Sequence, residues 1–246
     1  MPAFLKIAHR GYSAKYPENT LLAFTGAIEA GADMIELDLH CSRDNEMVII
    51  HDERINRTSN GRGKVADLTL AALKRYNYNN GMGQFGLVAI PTLAEVIDLA
   101  ESRVLLNIEI KKYPGKQAGM EKNLVELLRG KDFSDRVIIS SFDREVLAQI
   151  KQIAKEVRTG LIYDAPAKRF RENVRALGVF SVHPATSVVD ADELRWAKSC
   201  GLRVYPWVVQ DRKTLARYRA SGFIDGVMVN DLALFDELDH PQAAPA

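Results

Sequence analysis

Short apolar, β-branched runs alternate with longer amphipathic segments along the chain in a regular beat. The runs predict strands at 4–9, 34–38, 104–110, 137–141, 158–162, 179–182, 203–207 and 226–229. The segments between them predict helices at 20–30, 92–101, 119–129, 144–156, 165–177, 190–199, 211–220 and 232–238. Asn19 or Thr20 stands at the cap of the first helix, Asp143 caps the 144–156 helix, and Thr92 with Glu95 three residues on spells a capping box. A further run at 48–51 extends the sheet or forms a small side ribbon. Eight strands, each followed by a helix, close most naturally into a (β/α)₈ TIM barrel. The open doubly wound sheet is the rival, but its glycine-rich first turn is missing, because Gly11 stands alone after His9 and Arg10.

One stretch breaks the beat. Residues 53–91 are long for a loop and carry Asn60-Gly61-Arg62-Gly63 and Asn79-Asn80-Gly81-Met82-Gly83. Such an insertion after the second strand is a lid, a binding loop or a solvated decoration. The tail from His240 has little to pack and is expected to fray. With 246 residues and 47% hydrophobic content, the chain fits a single domain over 1–246.

Charge and cysteines exclude several classes. Thirty-three basic and 32 acidic side chains leave a net charge of +1, so there is no polybasic field for nucleic acid, and an anionic ligand must be held locally. Cys41 and Cys200 are read as free thiols, which fits a reducing compartment. No stretch approaches a membrane span or a signal peptide, so stable membrane insertion is not expected and the expected location is cytoplasmic.

The chemistry gathers where strands run out into loops, the end of a barrel that carries its active site. Residues two apart in a strand share a face, so Glu36 pairs with Asp38 and Glu109 with Lys111. Three carboxylates without cysteine suit a hard ion, Mg²⁺ or Ca²⁺ with Mn²⁺ as third candidate. The competing reading pairs these acids with Arg10, Lys111 or Lys112 at the rim. His9 and His51 fall at two more strand ends and suit an acid and base flanking a phosphorus centre. Arg10 and Lys111 suit phosphate oxygens. A Schiff-base role for Lys111 is disfavoured, because three nearby acids hold its pKa up.

The strings AHRG at 8–11, PENT at 17–20, EAGADMIELDLHCSRDNEMVIIHD at 29–52, RTSNGRGKVADLT at 57–69, IPTLAEV at 90–96 and NIEIK at 107–111 resemble the glycerophosphodiester phosphodiesterases. The likeness continues more loosely through SSF at 140–142, VHP at 182–184, Pro206-Trp207-Val208 and DGVMVND at 225–231. The resemblance implies metal-dependent hydrolysis of a small glycerophosphodiester to glycerol 3-phosphate and an alcohol. It implies His9 and His51 as the acid and base pair, Glu36, Asp38 and Glu109 as metal ligands, and Arg10 and Lys111 as phosphate contacts. Trp207 would line the glycerol pocket, although a tryptophan there also serves as core, and the insertion would cover the mouth.

The chain departs from the family where it has Trp207-Val208-Val209-Gln210 for the common tryptophan-threonine-valine-asparagine, and Asn230-Asp231-Leu232-Ala233 for threonine-aspartate-x-proline. These differences are expected to touch the outer pocket and last loop rather than the metal and histidines. Other readings are a lysophospholipase D-type hydrolase, a noncatalytic phosphodiester-binding barrel, and an aldolase or isomerase. The last leaves the second histidine and the three acids unexplained. The head group, the ion, the order of acid and base, cyclic or direct attack, and the oligomeric state are not set by the sequence.

Overall fold

In the computed structural model, which describes residues 4–111, 119–165 and 169–236, the alternation of the sequence becomes an alternation of strands and helices. It runs β1 (Leu5–His9), α1 (Leu21–Glu29), β2 (Met34–Cys41), β3 (Met47–Ile49), α2 (Leu70–Leu73), α3 (Leu93–Ala100), β4 (Leu105–Ile110) and α4 (Met120–Gly130). It continues through β5 (Val137–Ser141), α5 (Arg144–Ile153), β6 (Arg158–Tyr163), α6 (Phe170–Leu177), β7 (Ser181–Pro184), α7 (Ala191–Ser199), β8 (Arg203–Val204), α8 (Arg212–Ala220) and β9 (Gly226–Val229). A 3₁₀ turn at Leu232–Phe235 replaces the expected last helix. The remainder of that helix, the tail from His240 and Lys112 lie outside the described residues.

Eight strands lie parallel in the order β8-β7-β6-β5-β4-β2-β1-β9, and β3 runs antiparallel beside β2 as a side ribbon. The ladder nearly closes into a barrel. Only Arg203 and Val204 form regular strand in β8, and Pro206 has no N–H to give a neighbour. The chain nevertheless stays bonded to β7 through Tyr205 N–H to Val182 O (3.0 Å) and Trp207 N–H to Pro184 O (2.9 Å). Toward β9 it accepts from Met228 N–H at Pro206 O (3.0 Å), and Val209 N–H donates to Met228 O (2.9 Å). The predicted strand at 203–207 is therefore present as a bonded path, regular for its first two residues.

The predicted caps form, since Thr20 and Asp143 accept from first-turn N–H groups and Thr92 with Glu95 makes both halves of the capping box, and Asp190 and Asp211 cap α7 and α8 in the same way. The strand expected at 179–182 starts two residues later, because Gly178 ends α6 in a left-handed conformation and the ladder begins only at Ser181. The helix expected from 165 is described from Phe170, with 166–168 outside the described residues.

Two apolar layers result. Side chains facing outward from the strands pack under the helices around Phe24, Leu37, Leu106 and Ile139, while Leu5, Ile7, Met34, Ile138, Tyr205 and Met228 fill the lower barrel interior. The segment between β3 and α3 has a cluster of its own, with Ile55, Val65, Leu73, Tyr78 and Ile90 packed on Val48 and Ile50. It is a packed layer over one side of the mouth rather than a bare solvated decoration. Neither Cys41 nor Cys200 forms a disulfide among the described residues, and no helix among them is long and apolar enough to cross a membrane.

Gly11 shows how tightly the mouth is built. Its φ is +80°, and a Cβ there would lie 2.7 Å from the Ala23 carbonyl carbon in α1. Gly11→Ala is therefore expected to destabilise the fold by about 2 kcal/mol through backbone strain and overpacking. Urea unfolding midpoints would measure it, and an unchanged midpoint would contradict the close approach.

Candidate active site

Strand alternation brings the acids together. Glu36 and Asp38 point inward from β2 and Glu109 from β4, with Asp38 paired to Glu109 in the ladder and Glu36 level with His9 on β1. One carboxylate oxygen of each of Glu36, Asp38 and Glu109 lies within 4.8 Å of the others, and all three residues are buried. The acids converge as their spacing predicts and are also ion-paired at the rim. Lys111 Nζ lies 2.9 Å from Asp38 and 2.6 Å from Glu109, and Arg10 Nε lies 3.4 Å from Asp38. Asn19 Nδ2 donates to Asp38 (2.7 Å), and the Arg10 backbone N–H donates to Glu36 (3.0 Å). That backbone donor is aimed by a left-handed turn, with Arg10 at φ 58°.

The charges are unequal. Burial, then Asp38 and Glu109, push the Glu36 carboxyl well above its ordinary range. Burial and Asp38 raise Glu109 to about 7 against the pull of Lys111. Burial would raise Asp38 too, but Lys111 and Arg10 hold it well below the usual carboxylate range. Burial disfavours the Lys111 ammonium, yet Asp38 and Glu109 outweigh it and keep the amine charged, which removes it as a nucleophile. Glu36 Oε1 is buried with no hydrogen-bond partner among the described residues. Three hard oxygens, one of them orphaned, in a site short of positive charge fit a divalent cation.

Both histidines face the same open cavity of about 470 Å³, together with Arg10, Glu36, Glu109 and Lys111. His9 Nδ1 lies 2.7 Å from Asn230 Oδ1, and His51 Nδ1 lies 2.7 Å from Asp52 Oδ1. Each oxygen accepts, so the proton sits on Nδ1 and Nε2 is the basic nitrogen. Burial and Arg10 lower His9 to about 4, and burial, with Lys111 and Arg10, also lowers His51. Trp207 is half-buried on the cavity wall, its ring edge-on to Phe142 at 5.7 Å and its Nε1 donating to His183 O (2.9 Å). It is thus both wall and structural anchor.

Several residues of this arrangement carry no role in the sequence reading. Arg57, from the 53–91 segment, donates from Nε to Asp52 (2.7 Å) and from Nη1 and Nη2 to Glu18 (2.8 and 2.9 Å), while Glu18 also accepts from Arg10 (2.9 Å). A chain of ion pairs therefore runs from Arg10 through Glu18 and Arg57 to Asp52, which accepts from His51. Each member lies in one of the resembling strings, and this was the available signal. Asn230 corrects an expectation: the departure at 230 touches His9 itself, because the last loop folds over the β1 end.

Comparison with known proteins agrees with this geometry. Residues 9–234 match the Glycerophosphoryl diester phosphodiesterase family. A glycerophosphodiester phosphodiesterase of Caldanaerobacter subterraneus subsp. tengcongensis is 36% identical over 229 residues, covering 92% of this chain and 94% of that one. Among solved structures, an Oleispira antarctica phosphodiesterase in complex with the product sn-glycerol-3-phosphate superimposes with a TM-score of 0.89 at 28% identity, covering 96% of each chain. A glycerophosphodiester phosphodiesterase from Thermotoga maritima does so at 0.79 and 30% identity, over 96% of this chain and 98% of that one. Fold, site and sequence agree, and the chain belongs to the glycerophosphoryl diester phosphodiesterase family.

Proposed function

We propose that this chain hydrolyses glycerophosphodiesters to sn-glycerol 3-phosphate and a free alcohol, with His9 and His51 as the acid and base pair and a divalent ion, Mg²⁺, Ca²⁺ or Mn²⁺, held by Glu36, Asp38 and Glu109. The observation that carries this reading is that both imidazoles line one cavity with the three-carboxylate cluster, each with Nδ1 committed to an oxygen. One histidine takes the proton of the attacking oxygen at Nε2, and the other, entering the reaction doubly protonated beside the phosphate, gives its Nε2 proton to the departing alcohol. Arg10 and Lys111 set positive charge beside the phosphate oxygens, where charge grows as the bond breaks. When bound, the divalent ion lowers the pKa of an oxygen it ligates and neutralises phosphate charge. Trp207 and Phe142 offer an apolar wall to the carbon skeleton.

Release of glycerol 3-phosphate from glycerophosphocholine and glycerophosphoethanolamine, with EDTA and then with each ion, tests the reading. Release with an ion and none with EDTA is expected. Folded protein inactive with all three ions would overturn it. His9→Ala and His51→Ala are each expected to lower kcat by about 10²–10⁴-fold with the circular dichroism spectrum unchanged; near-wild-type turnover in either would remove its assigned role.

Arg57→Ala leaves Asp52 and Glu18 without their shared partner, so His51 and Arg10 lose their fixed orientation. A fall in kcat of about 10²-fold is expected, read from steady-state kinetics at saturating ion.

Ion binding also carries a pH signature. Glu109, held near 7 in the folded protein, keeps its proton longer than in the unfolded chain. Its own contribution to the stability of the metal-free protein therefore falls as pH rises from the ordinary carboxylate range through 7. An added ion competes with that proton below 7 and not above it. Thermal unfolding with added Mn²⁺ is expected to show a larger rise in Tm at pH 8 than at pH 6, and a pH-independent rise would contradict ligation by Glu109.

A further inference from the structure

One buried imidazole at the mouth stands outside the proposed chemistry. His40 follows Glu36 and Asp38 on β2, and strand alternation sets all three on one face. It is only 8% exposed, and a histidine at that depth is held by partners for its ring nitrogens. Its Nε2 lies 3.2 Å from the main-chain oxygen of His51. A carbonyl oxygen only accepts, so His40 Nε2 carries a proton and donates it. A buried side chain thus spends its donor on the backbone of a residue assigned to proton transfer.

The path of the chain shows what that bond does. β3 returns antiparallel beside β2 with Val48 opposite His40, and the pairing continues to Ile50, whose N–H donates to Asp38 O (2.9 Å). The regular ladder ends there, and His51 opens the bend that leads into the insertion. Backbone that leaves a sheet gains freedom unless another group takes its peptide. His40 takes it from the β2 side, while Asp52 holds the ring through Nδ1 from the insertion side. The two bonds set different things. Asp52 fixes the turn of the imidazole, and His40 fixes the main chain from which the imidazole hangs.

We propose that His40 is a positioning residue, whose Nε2–H clamps the His51 peptide to β2 and so holds the His51 imidazole in register with the acid cluster. The proposal rests on the reading of His51 as an acid–base residue and adds the group that aims it. One strand then sets both parts of the site. Glu36 and Asp38 supply carboxylates from β2, and two residues beyond Asp38 the same strand fixes the histidine that works beside them. The Asp52 and Arg57 ion pair is open to water and screened by salt, whereas the His40 bond is shielded from both.

Exchanging the donor tests this. Glutamine places an amide nitrogen where Nε2 stands, whereas leucine fills the space without a donor. In the whole protein at saturating Mg²⁺, with glycerophosphoethanolamine as substrate, His40→Leu is expected to lower kcat at least about 10-fold and leave KM within about 2-fold, because a misplaced proton-transfer group costs turnover rather than binding. His40→Gln is expected to stay within about 3-fold of wild type, and the Mg²⁺ concentration for half activity to stay unchanged in both. His40→Met, a flexible filler, repeats the deletion should the leucine variant not fold. In wild-type protein, imidazole ¹⁵N resonances, assigned by the signal lost in His40→Gln, are expected to show His40 as the Nε2–H tautomer. Equal losses in the glutamine and leucine variants, a loss carried by KM or by weaker Mg²⁺ binding, wild-type turnover in a folded deletion variant, or an Nδ1–H tautomer would each overturn the proposal. No turnover by wild-type protein defeats the hydrolase reading and the role of His40 with it, whereas wild-type turnover that the deletion variants share defeats only the clamp.

Discussion

Three carboxylates crowded into a buried space against two cations set the terms for the rest of the mouth. Glu36, Asp38 and Glu109 face Arg10 and Lys111, and ionised together they would leave an uncompensated buried negative charge, which proteins tolerate poorly. The imbalance settles unevenly. Asp38 takes both cations and the Asn19 amide and stays ionised, while Glu36 and Glu109 are pushed toward their neutral forms. A dication and a phosphate are the complementary pair for such a site, since one fills the deficit among the acids and the other faces the cations. The same arrangement accounts for the charged state of Lys111 and for the left-handed turn that aims the Arg10 N–H at Glu36.

The barrel makes this crowding possible and also made much of it readable. A strand presents every second residue to one face, so Glu36 with Asp38 and Glu109 with Lys111 announce themselves by spacing, and His9 and His51 by their position at the ends of apolar runs. What escaped are residues whose partners lie far off in sequence and which sit in loops without a period. Asn230 meets His9 across 221 positions, and Arg57 meets Glu18 across 39. No periodicity reports such pairs. The depth of the cavity was equally hidden, because Asn107 and His183 read as ordinary strand residues until the barrel closes around them.

Element boundaries moved where local chemistry overrode the apolar pattern. Val179 and Phe180 look like strand, but the left-handed end of α6 at Gly178 delays the ladder. Pro206 leaves β8 short in regular bonding without breaking the path to Trp207. The 53–91 segment offers Asn-Gly turns and scattered apolar residues, with neither helical nor strand spacing. Its core of Ile55, Val65, Leu73, Tyr78 and Ile90 forms only against Val48 and Ile50, which stand beyond one end of it in sequence.

That segment reaches the chemistry through Arg57. Its side chain is 44% exposed, and its four hydrogen bonds to Glu18 and Asp52 sit at the protein surface. Ion pairs of this exposure contribute about 0–1 kcal/mol to stability, too little to explain a guanidinium held by two carboxylates at once. Orientation is the larger effect. Asp52 fixes the proton of His51 on Nδ1, and Glu18 holds the Arg10 fork on the other side of the cavity, so one side chain from the insertion sets the angle of two groups on the barrel. The packed cluster beneath the segment then supplies the rigidity that an exposed ion pair lacks.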